Sequence, residues 1–262
     1  MQHRYTGDIG DFGKYGLLRW ILSASNKKIR LGIQWYLAAP ENNSDGGFRQ
    51  YLDDQEKYRC CDEKLYKHLK RIQRGTDRKQ SELTRHISSV QTKEIFPTTT
   101  LFWDEELTLR DFPKGTKIAI EQRSTHRKSW HDRATQKLKS TNVVFFDPDN
   151  GLERKTPVHR DNGPKYLFLN ELDTYIYQGK TAIIYQHSTR DRGGFTKYLQ
   201  EHVASLKRRY GDIVGQPYFC IFRSHGVRAF IILPVGKAGA LVRQRAVAIT
   251  KDKNWSQFFS EE

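Results

Sequence analysis

Apolar and polar positions along this chain alternate between blocks with helical spacing and blocks with strand-like spacing. Apolar residues recur at helical spacing from Lys14 to Ser25, and the block from Arg30 to Leu37 reads as a strand. This alternation predicts an α/β domain with a mostly parallel sheet that is covered on both faces. Beyond residue 117, strands are predicted over 117–121, 142–146 and 180–186, and helices over 125–139, 166–179 and 196–210.

Two apolar blocks close the pattern, Tyr218–Arg223 and Arg228–Leu233, and the short connection between them contains Gly226. Such a connection favours an antiparallel hairpin. We therefore expect a single α/β domain over 1–262 in which a C-terminal antiparallel hairpin extends the parallel sheet. Functional residues of such sheets gather beyond the carboxyl ends of the strands. The loops predicted to lie there are 39–47, 122–127, 147–154 and 186–194.

A basic helical insertion is predicted over about 48–95. Between Lys57 and Lys93 the chain has eleven Lys or Arg residues against four Asp or Glu residues. A charged helical face is often only solvated. The alternative is a clamp over a nucleic-acid backbone, with Lys70, Arg71 and Arg74 as contacts.

The charge of the whole chain favours a polyanionic partner. Lys and Arg number 45 against 30 Asp and Glu, which gives a net charge of +15 and a pI near 9.7. Nucleic acid is the leading candidate, because phosphate neutralisation releases counterions. Three cysteines without a C-x-x-C motif make a zinc-thiolate site improbable and fit a reducing cytoplasm. No apolar stretch is long enough to predict a membrane span, and a homo-oligomer stays open.

The segment VVFFDPDNGLE (residues 143–153) places Asp147 and Asp149 directly after the most apolar predicted strand. D-P-D-N-G is good turn chemistry, so a turn alone could explain it. Two carboxylates confined together repel each other unless a cation lies between them or one is protonated. A hard divalent ion such as Mg²⁺ or Mn²⁺ would resolve that repulsion. The segment therefore also predicts a metal site, with Asn150 beside it.

Further polar residues at predicted strand ends extend this candidate centre. Gln186 and His187 end the next predicted strand, and His187 is a candidate ligand or general base. Glu171 is a candidate third carboxylate. Asp45, in the loop after the first strand, is a candidate metal ligand, although Asp45-Gly46 also suits a plain turn.

Three basic groups lie where phosphate contacts are expected. Arg190 and Arg192 precede a Gly-Gly pair in a basic loop, and Arg127 and Lys128 belong to a cluster after the strand predicted over 117–121. The N-terminal block YTGDIGDFGKYGLLR forms the third group, where glycine could expose backbone N–H groups to an anion at a helix start. Its charged residues are Asp8, Asp11 and Lys14. In each group, solvated side chains are the alternative.

The order of these blocks resembles a Rossmann-like methyltransferase domain, and it looks most like the family that methylates adenine N6 in 23S ribosomal RNA. Gly7, Asp11 and Lys14 resemble that family's G-x-x-x-D-x-x-K-H block. Asp147-Pro148 match the start of its D-P-P-Y motif. The resemblance implies S-adenosylmethionine as cofactor, and it implies that Asp147 accepts a hydrogen bond from the target amine.

The chain departs from that family at two places. Asp149-Asn150 stand where the family has Pro-Tyr, so the aromatic ring that stacks on the base is missing, and the added carboxylate favours a metal. The loop APENNSDGG after the first strand has glycine only late. A second resemblance, to a bacterial family with G-D-x-x-D-F-x-K-Y-G-L-L-R and D-P-D-N-G blocks, is closer but implies no activity.

The sequence thus favours a nucleic-acid-processing enzyme, first a metal-dependent nuclease or phosphodiesterase on a Rossmann-like core. Asp147 and Asp149 would hold the ion, which would activate water. A DNA or RNA methyltransferase with a divergent cofactor loop is the alternative. A binding module without catalysis is the third interpretation.

Overall fold

The computed structural model describes residues 1–25, 28–40, 47–73, 85–154, 156–188 and 193–261. Within them, seven strands form one sheet in the order β2-β1-β3-β4-β6-β5-β7. The strands are β1 (Leu31–Gln34), β2 (Leu101–Trp103), β3 (Val143–Phe146), β4 (Thr181–His187), β5 (Tyr218–Arg223), β6 (Val227–Leu233) and β7 (Phe259–Ser260).

The sheet combines a parallel half with an antiparallel half. Strands β1 to β4 are mutually parallel, whereas β6 runs antiparallel to both β4 and β5. The hairpin of β5 and β6 therefore extends the parallel sheet, as the sequence predicts. The expected α/β, Rossmann-like fold class is confirmed.

Helices cover both faces of the sheet. The α-helices in the described residues are α1 (Ile9–Ser23), α2 (Gln55–Arg59), α3 (Glu63–Gln73), α4 (Lys117–Lys137), α5 (Leu169–Tyr177), α6 (Phe195–Tyr210) and α7 (Gly236–Ile249). None of the helices in the described residues is long and apolar enough to cross a membrane.

Alternating side chains of the strands build two separate cores. Val143 and Phe145 of β3 join the core beneath α1 and α7, together with residues of α3. Val144 and Phe146 point the other way, into the core beneath α4, α5 and α6. A residue that follows Phe146 can therefore face α1, and this places Asp147 on the α1 side.

The strand predicted over 117–121 is wrong, because these residues are the first turn of α4. Thr116 caps the helix by accepting a hydrogen bond from the backbone N of Ala119 at 3.1 Å. Ile118 and Ile120 mimic a strand's alternation, but both are exposed. The predicted loop 122–127 is therefore helical as well, and Arg127 and Lys128 lie inside α4 rather than at a strand end.

The region 48–95 is helical in part. Its described residues, 48–73 and 85–95, contain α2, α3 and two single-turn 3₁₀-helices, and α3 packs on α1. Arg74 lies outside the described residues. The chain between Ile95 and Pro113 contains β2, which is the edge strand next to β1.

Candidate functional site

The carboxyl ends of β1, β3 and β4 and the first turns of α1 meet at one edge of the sheet, which we name the carboxyl edge. Asp8 caps α1, and its carboxylate accepts a hydrogen bond from the backbone N of Asp11 at 2.9 Å. Asp11 in turn accepts from the backbone N of Gly7 at 2.9 Å. The helical spacing of three residues then puts Asp11 and Lys14 on the same face of α1.

Lys14 is the cation that the carboxylate at the end of β3 requires. Its Nζ lies 2.7 Å from Oδ1 of Asp11 and 2.7 Å from Oδ2 of Asp147, and all three side chains are buried. Burial lowers the pKa of Lys14, but the two carboxylates outweigh burial and raise that pKa well above its ordinary value. Burial raises the pKa of Asp147, and the ammonium of Lys14 offsets part of that rise.

Asp149 has a different cationic partner. Its Oδ1 lies 2.7 Å from the amino group of Met1, and its Oδ2 accepts a hydrogen bond from Nε2 of Gln2 at 3.5 Å. Burial raises the pKa of Asp149, but the positive charge of the Met1 amino group outweighs burial, and the pKa falls below its ordinary value. Asp147 and Asp149 therefore do not share one cation.

The carboxylates do not fit the metal centre that the sequence predicts. Among the described residues there is no group of three or more His, Cys, Asp or Glu side chains that could hold a metal ion. Lys14 stands between Asp11 and Asp147, in the place where an ion would have to bind. Asp45 lies outside the described residues.

The crevice between β1 and β3 is filled by the chain itself. Sheets of this class bind ligands at this position, where the strand order reverses. The Met1 amino group donates to the carbonyl oxygens of Tyr36 at 3.0 Å and Asp147 at 3.2 Å, and the carbonyl of Met1 accepts from the backbone N of Ala38 at 3.0 Å. Met1 and Gln2 are both buried. This arrangement does not fit S-adenosylmethionine in the crevice.

Gln186 holds the D-P-D-N-G loop in position. Its Oε1 accepts from the backbone N of Leu152 at 2.9 Å, and its Nε2 donates to the carbonyls of Asn150 at 3.3 Å and His187 at 3.0 Å. Gly151 has a φ of +83°, and its missing side chain leaves room for the Gln186 amide. Gln186 and Asn150 therefore shape the loop.

Glu171 and Arg127 lie on the opposite face of the sheet. Their side chains form a bidentate ion pair, with Nε to Oε1 at 2.7 Å and Nη2 to Oε2 at 2.9 Å. The hydroxyl of Tyr36 also donates to Oε2 of Glu171 at 3.0 Å. Both oxygens of Glu171 are thus used, and Arg127 is only 2% exposed. Lys128 is exposed and pairs with Asp132 at 3.0 Å.

Two further titratable groups at the carboxyl edge, His187 and Asp8, have shifted pKa values. Burial, assisted by the charge of Arg228, lowers the pKa of the half-buried His187 to about 3, so this ring is neutral at pH 7. Burial and the carboxylate of Asp11 raise the pKa of the partly exposed Asp8 to about 6. Asp8 is therefore a better proton acceptor near neutral pH than an ordinary aspartate.

A series of contacts lies beside Asp8, and we name its residues, which are Asp8, Phe48, His225 and Arg228, the mouth. The backbone N of Ile9 donates to the carbonyl of Phe48 at 3.0 Å, and the rings of Phe48 and His225 stack at 5.9 Å. Nη1 of Arg228 donates to the carbonyl of Ser224, the residue before His225, at 3.2 Å. The mouth thus combines an aromatic surface with a carboxylate and a guanidinium.

A second region, which we name the basic cleft, lies along α3. This cavity has a volume of about 860 Å³, and one acidic side chain faces six basic ones. Its lining residues are Arg19, Lys64, Lys67, Lys70, Arg71, Lys93 and Glu94. Lys70 and Arg71, which the sequence suggests as phosphate contacts, therefore share one concave surface. Arg190 and Arg192 lie outside the described residues.

No family model, curated protein or solved structure matches this chain. Any functional assignment therefore rests on the side chains described above. The carboxyl edge with its mouth and the basic cleft are the two regions where charge and geometry offer chemistry.

Several residues of these regions were missed in the sequence. Tyr185 and Arg228 lie in strands that read as core, and Phe48 is at the start of the region predicted to be a basic helical insertion. One usable signal is Arg228, a charged residue at the start of the apolar run AFIIL. A buried arginine needs polar partners, so its position predicts a polar cluster at that strand end.

Proposed function

We propose that the protein binds nucleic acid through the basic cleft. The observation that carries this proposal is the concentration of six basic side chains around one cavity on a chain with a net charge of +15. A concave surface with one sign of charge attracts a polyanion and releases its counterions.

Several cations of the basic cleft are available for phosphate. Among the described residues, no carboxylate lies within 4.0 Å of the side-chain nitrogens of Lys64, Lys70, Arg71 or Lys93. Arg19 differs, because its guanidinium bonds to Asp62 at 2.6 Å. The cleft therefore carries net positive charge that the fold itself does not neutralise.

Helix α3 connects the basic cleft to the carboxyl edge. The helix spans 11 residues, which corresponds to on the order of 15 Å along its axis. Its last residue, Gln73, donates to the carbonyl of Gly7 at 3.5 Å and accepts from Nη1 of Arg49 at 2.9 Å. A strand bound along α3 would thus be led towards Asp8.

Fluorescence anisotropy with labelled DNA and RNA tests this proposal. Lys64→Glu/Arg71→Glu changes two exposed cleft residues, and we expect it to weaken binding roughly tenfold or more. Lys139→Glu/Lys237→Glu is the control with the same change in charge. These two exposed lysines lie close in sequence to the amino end of β3 and the carboxyl end of β6, outside the basic cleft. Equal weakening by both double variants would contradict binding in the cleft.

Hydrolysis of the bound backbone at the carboxyl edge is a second candidate function, favoured by the raised pKa of Asp8. In this reaction Asp8 would take a proton from water as the water oxygen bonds to phosphorus. The P–O bond to the departing nucleoside oxygen would break, and solvent would protonate that oxygen. None of these reaction steps needs a cation between Asp147 and Asp149.

Incubation of labelled DNA and RNA with EDTA, Mg²⁺ or Mn²⁺ tests the second candidate. Cleavage that persists in EDTA and is lost in Asp8→Asn would support it. Cleavage that requires a divalent ion would favour the metal-dependent nuclease expected from the sequence. Intact substrate under all conditions would leave binding as the function.

A further inference from the structure

The basic cleft continues into a second cavity that has a different lining. This cavity has a volume of about 420 Å³, which lies within the range of about 300–1,000 Å³ that is usual for small-ligand pockets. Arg19 and Lys93 line both cavities. We name the second cavity the apolar pocket, because its wall includes the side chains of Trp20, Leu22, Ile95, Phe96, Pro97 and Trp255.

Arg19 holds the two cavities in a fixed arrangement. Its Nε donates to Oδ2 of Asp62 at 2.6 Å, and its Nη1 donates to the carbonyls of Glu94 and Ile95, both at 2.9 Å. Asp62 lines the apolar pocket and directly precedes α3, so the pocket adjoins the amino end of this helix. The other end of the helix, at Gln73, is the one that leads to the carboxyl edge.

Trp20 is a half-buried aromatic residue in the wall of the apolar pocket. The guanidinium of Arg245 lies 4.2 Å from the centroid of its ring, and the indole Nε1 donates to the carbonyl of Arg245 at 3.0 Å. Arg245 is outside the lining of the pocket, so the pocket meets the ring at its other face or its edge. A ring that is already held in place loses little conformational freedom when a flat group packs against it.

Lys93 lies where the lining changes from basic to apolar side chains. It is exposed, and among the described residues no carboxylate lies within 4.0 Å of its Nζ. In a nucleic-acid strand each charged phosphate is linked through one sugar to a flat base, and this alternation matches a basic surface beside an apolar pocket. The bases of a duplex are already stacked on each other, so an unpaired base is the one that can enter.

We propose that the apolar pocket binds one unpaired base of a single-stranded nucleic acid, with the base against Trp20 and the adjoining phosphate on Lys93. Stacking of bases on aromatic side chains is tolerant of sequence, because every base has a π-face. The proposal rests on the proposed function, because the basic cleft has to hold the strand whose base enters the pocket.

Binding of a labelled single strand and of the duplex with the same sequence tests the apolar pocket. Trp20→Leu is expected to weaken single-strand binding about tenfold and to leave duplex binding unchanged. Trp20→Phe keeps an aromatic ring and should retain most of the single-strand affinity. Trp103→Leu is the matched control, since Trp103 is also half-buried but packs on the core of the opposite face of the sheet. Circular dichroism checks that each variant is folded.

Tryptophan fluorescence gives an independent readout. Of the five tryptophans, Trp20 and Trp103 are half-buried and the other three are buried. We expect a bound single strand to quench the fluorescence of the wild type and of Trp103→Phe. This quenching should be largely lost in Trp20→Phe, although that variant still binds the strand.

Wild-type single-strand affinity in Trp20→Leu, or an equal loss for single strand and duplex, would overturn the apolar pocket as a base site. Quenching that is unchanged in Trp20→Phe would overturn it as well. If Lys64→Glu/Arg71→Glu still weakens binding in these cases, the basic cleft stands and only the apolar pocket fails. If neither the cleft variant nor Trp20→Leu changes binding, both proposals fail.

Discussion

The Nζ of Lys14 lies 2.7 Å from Oδ2 of Asp147, so the chain's own lysine neutralises the carboxylate at the end of β3. The sequence predicts a cation between the two carboxylates of the D-P-D-N-G loop. Lys14 supplies the positive charge for Asp147 and also pairs with Asp11, whereas the Met1 amino group pairs with Asp149.

Removal of Lys14 should be strongly destabilising. Lys14→Met leaves two buried carboxylates without their cation, and we expect a loss of about 3–5 kcal/mol in the free energy of unfolding. Urea denaturation measures this loss. Asp147→Asn in the same background should recover part of it, because the two residues are coupled. Strictly additive effects of the two substitutions would show that the pair is not formed.

Asp8 should make stability depend on pH in a defined window. Its pKa is about 6 in the folded protein against an ordinary 3.8. Between about pH 4 and pH 6 the folded state keeps a proton that the unfolded chain has released, so stability falls as the pH rises through this window. Asn also caps helices, and Asp8→Asn should therefore be more stable than wild type at pH 7 by on the order of 2 kcal/mol.

Denaturation curves at pH 4 and pH 7 measure this difference. We expect the gain from Asp8→Asn to be present at pH 7 and to disappear at pH 4. A gain of the same size at both pH values would show that the titration of Asp8 does not cause it.

Arg127 should matter for stability and not for binding. Arg127→Met leaves Glu171 buried without its cation, so we expect a loss of about 3–5 kcal/mol in the free energy of unfolding. Nucleic-acid affinity, measured by anisotropy at a temperature where the variant is folded, should match wild type. A clear drop in affinity would instead support the phosphate contact that the sequence suggests for Arg127.

The contact between Gly151 and Gln186 can be tested against a matched glycine. Gly151 and Gly179 both have positive φ, +83° and +76°, but a Cβ at Gly151 would lie 2.2 Å from Oε1 of Gln186, whereas nothing lies within 4 Å of one at Gly179. Gly179→Ala should cost about 1 kcal/mol from backbone strain. Gly151→Ala should cost about 3 kcal/mol or more, because a clash is added. Equal melting temperatures would contradict this packing.

The local sequence pattern predicts much of the sheet, but it does not predict which side chains pair across long stretches of sequence. The apolar run of β3 and the acids after it predict a polar strand end, and such an end is present. The partner of Asp147 is Lys14 of α1, which lies 133 residues away in the sequence. No local pattern indicates that these two residues come into contact. Lys14 was therefore expected to face phosphate, whereas it is buried.

The first turn of α4 shows a second limit of the pattern. Its KIAIE segment alternates like a strand, yet the buried positions Ala119, Arg123 and Arg127 follow helical spacing. Two of these positions are arginines, so the buried face of the helix looks polar in the sequence. The ion pairs of Arg127 with Glu171 and of Arg123 with Asp161 explain why guanidinium groups are placed there.

The salt dependence of nucleic-acid binding tests the central claim most directly. Each phosphate contact contributes a slope of about −0.9 to a plot of log affinity against log salt for duplex DNA. We predict that Lys64→Glu/Arg71→Glu reduces the slope of this plot by the amount that corresponds to about two phosphate contacts. Lys139→Glu/Lys237→Glu should leave the slope at the wild-type value. The same slope for wild type and both double variants would contradict phosphate binding in the basic cleft.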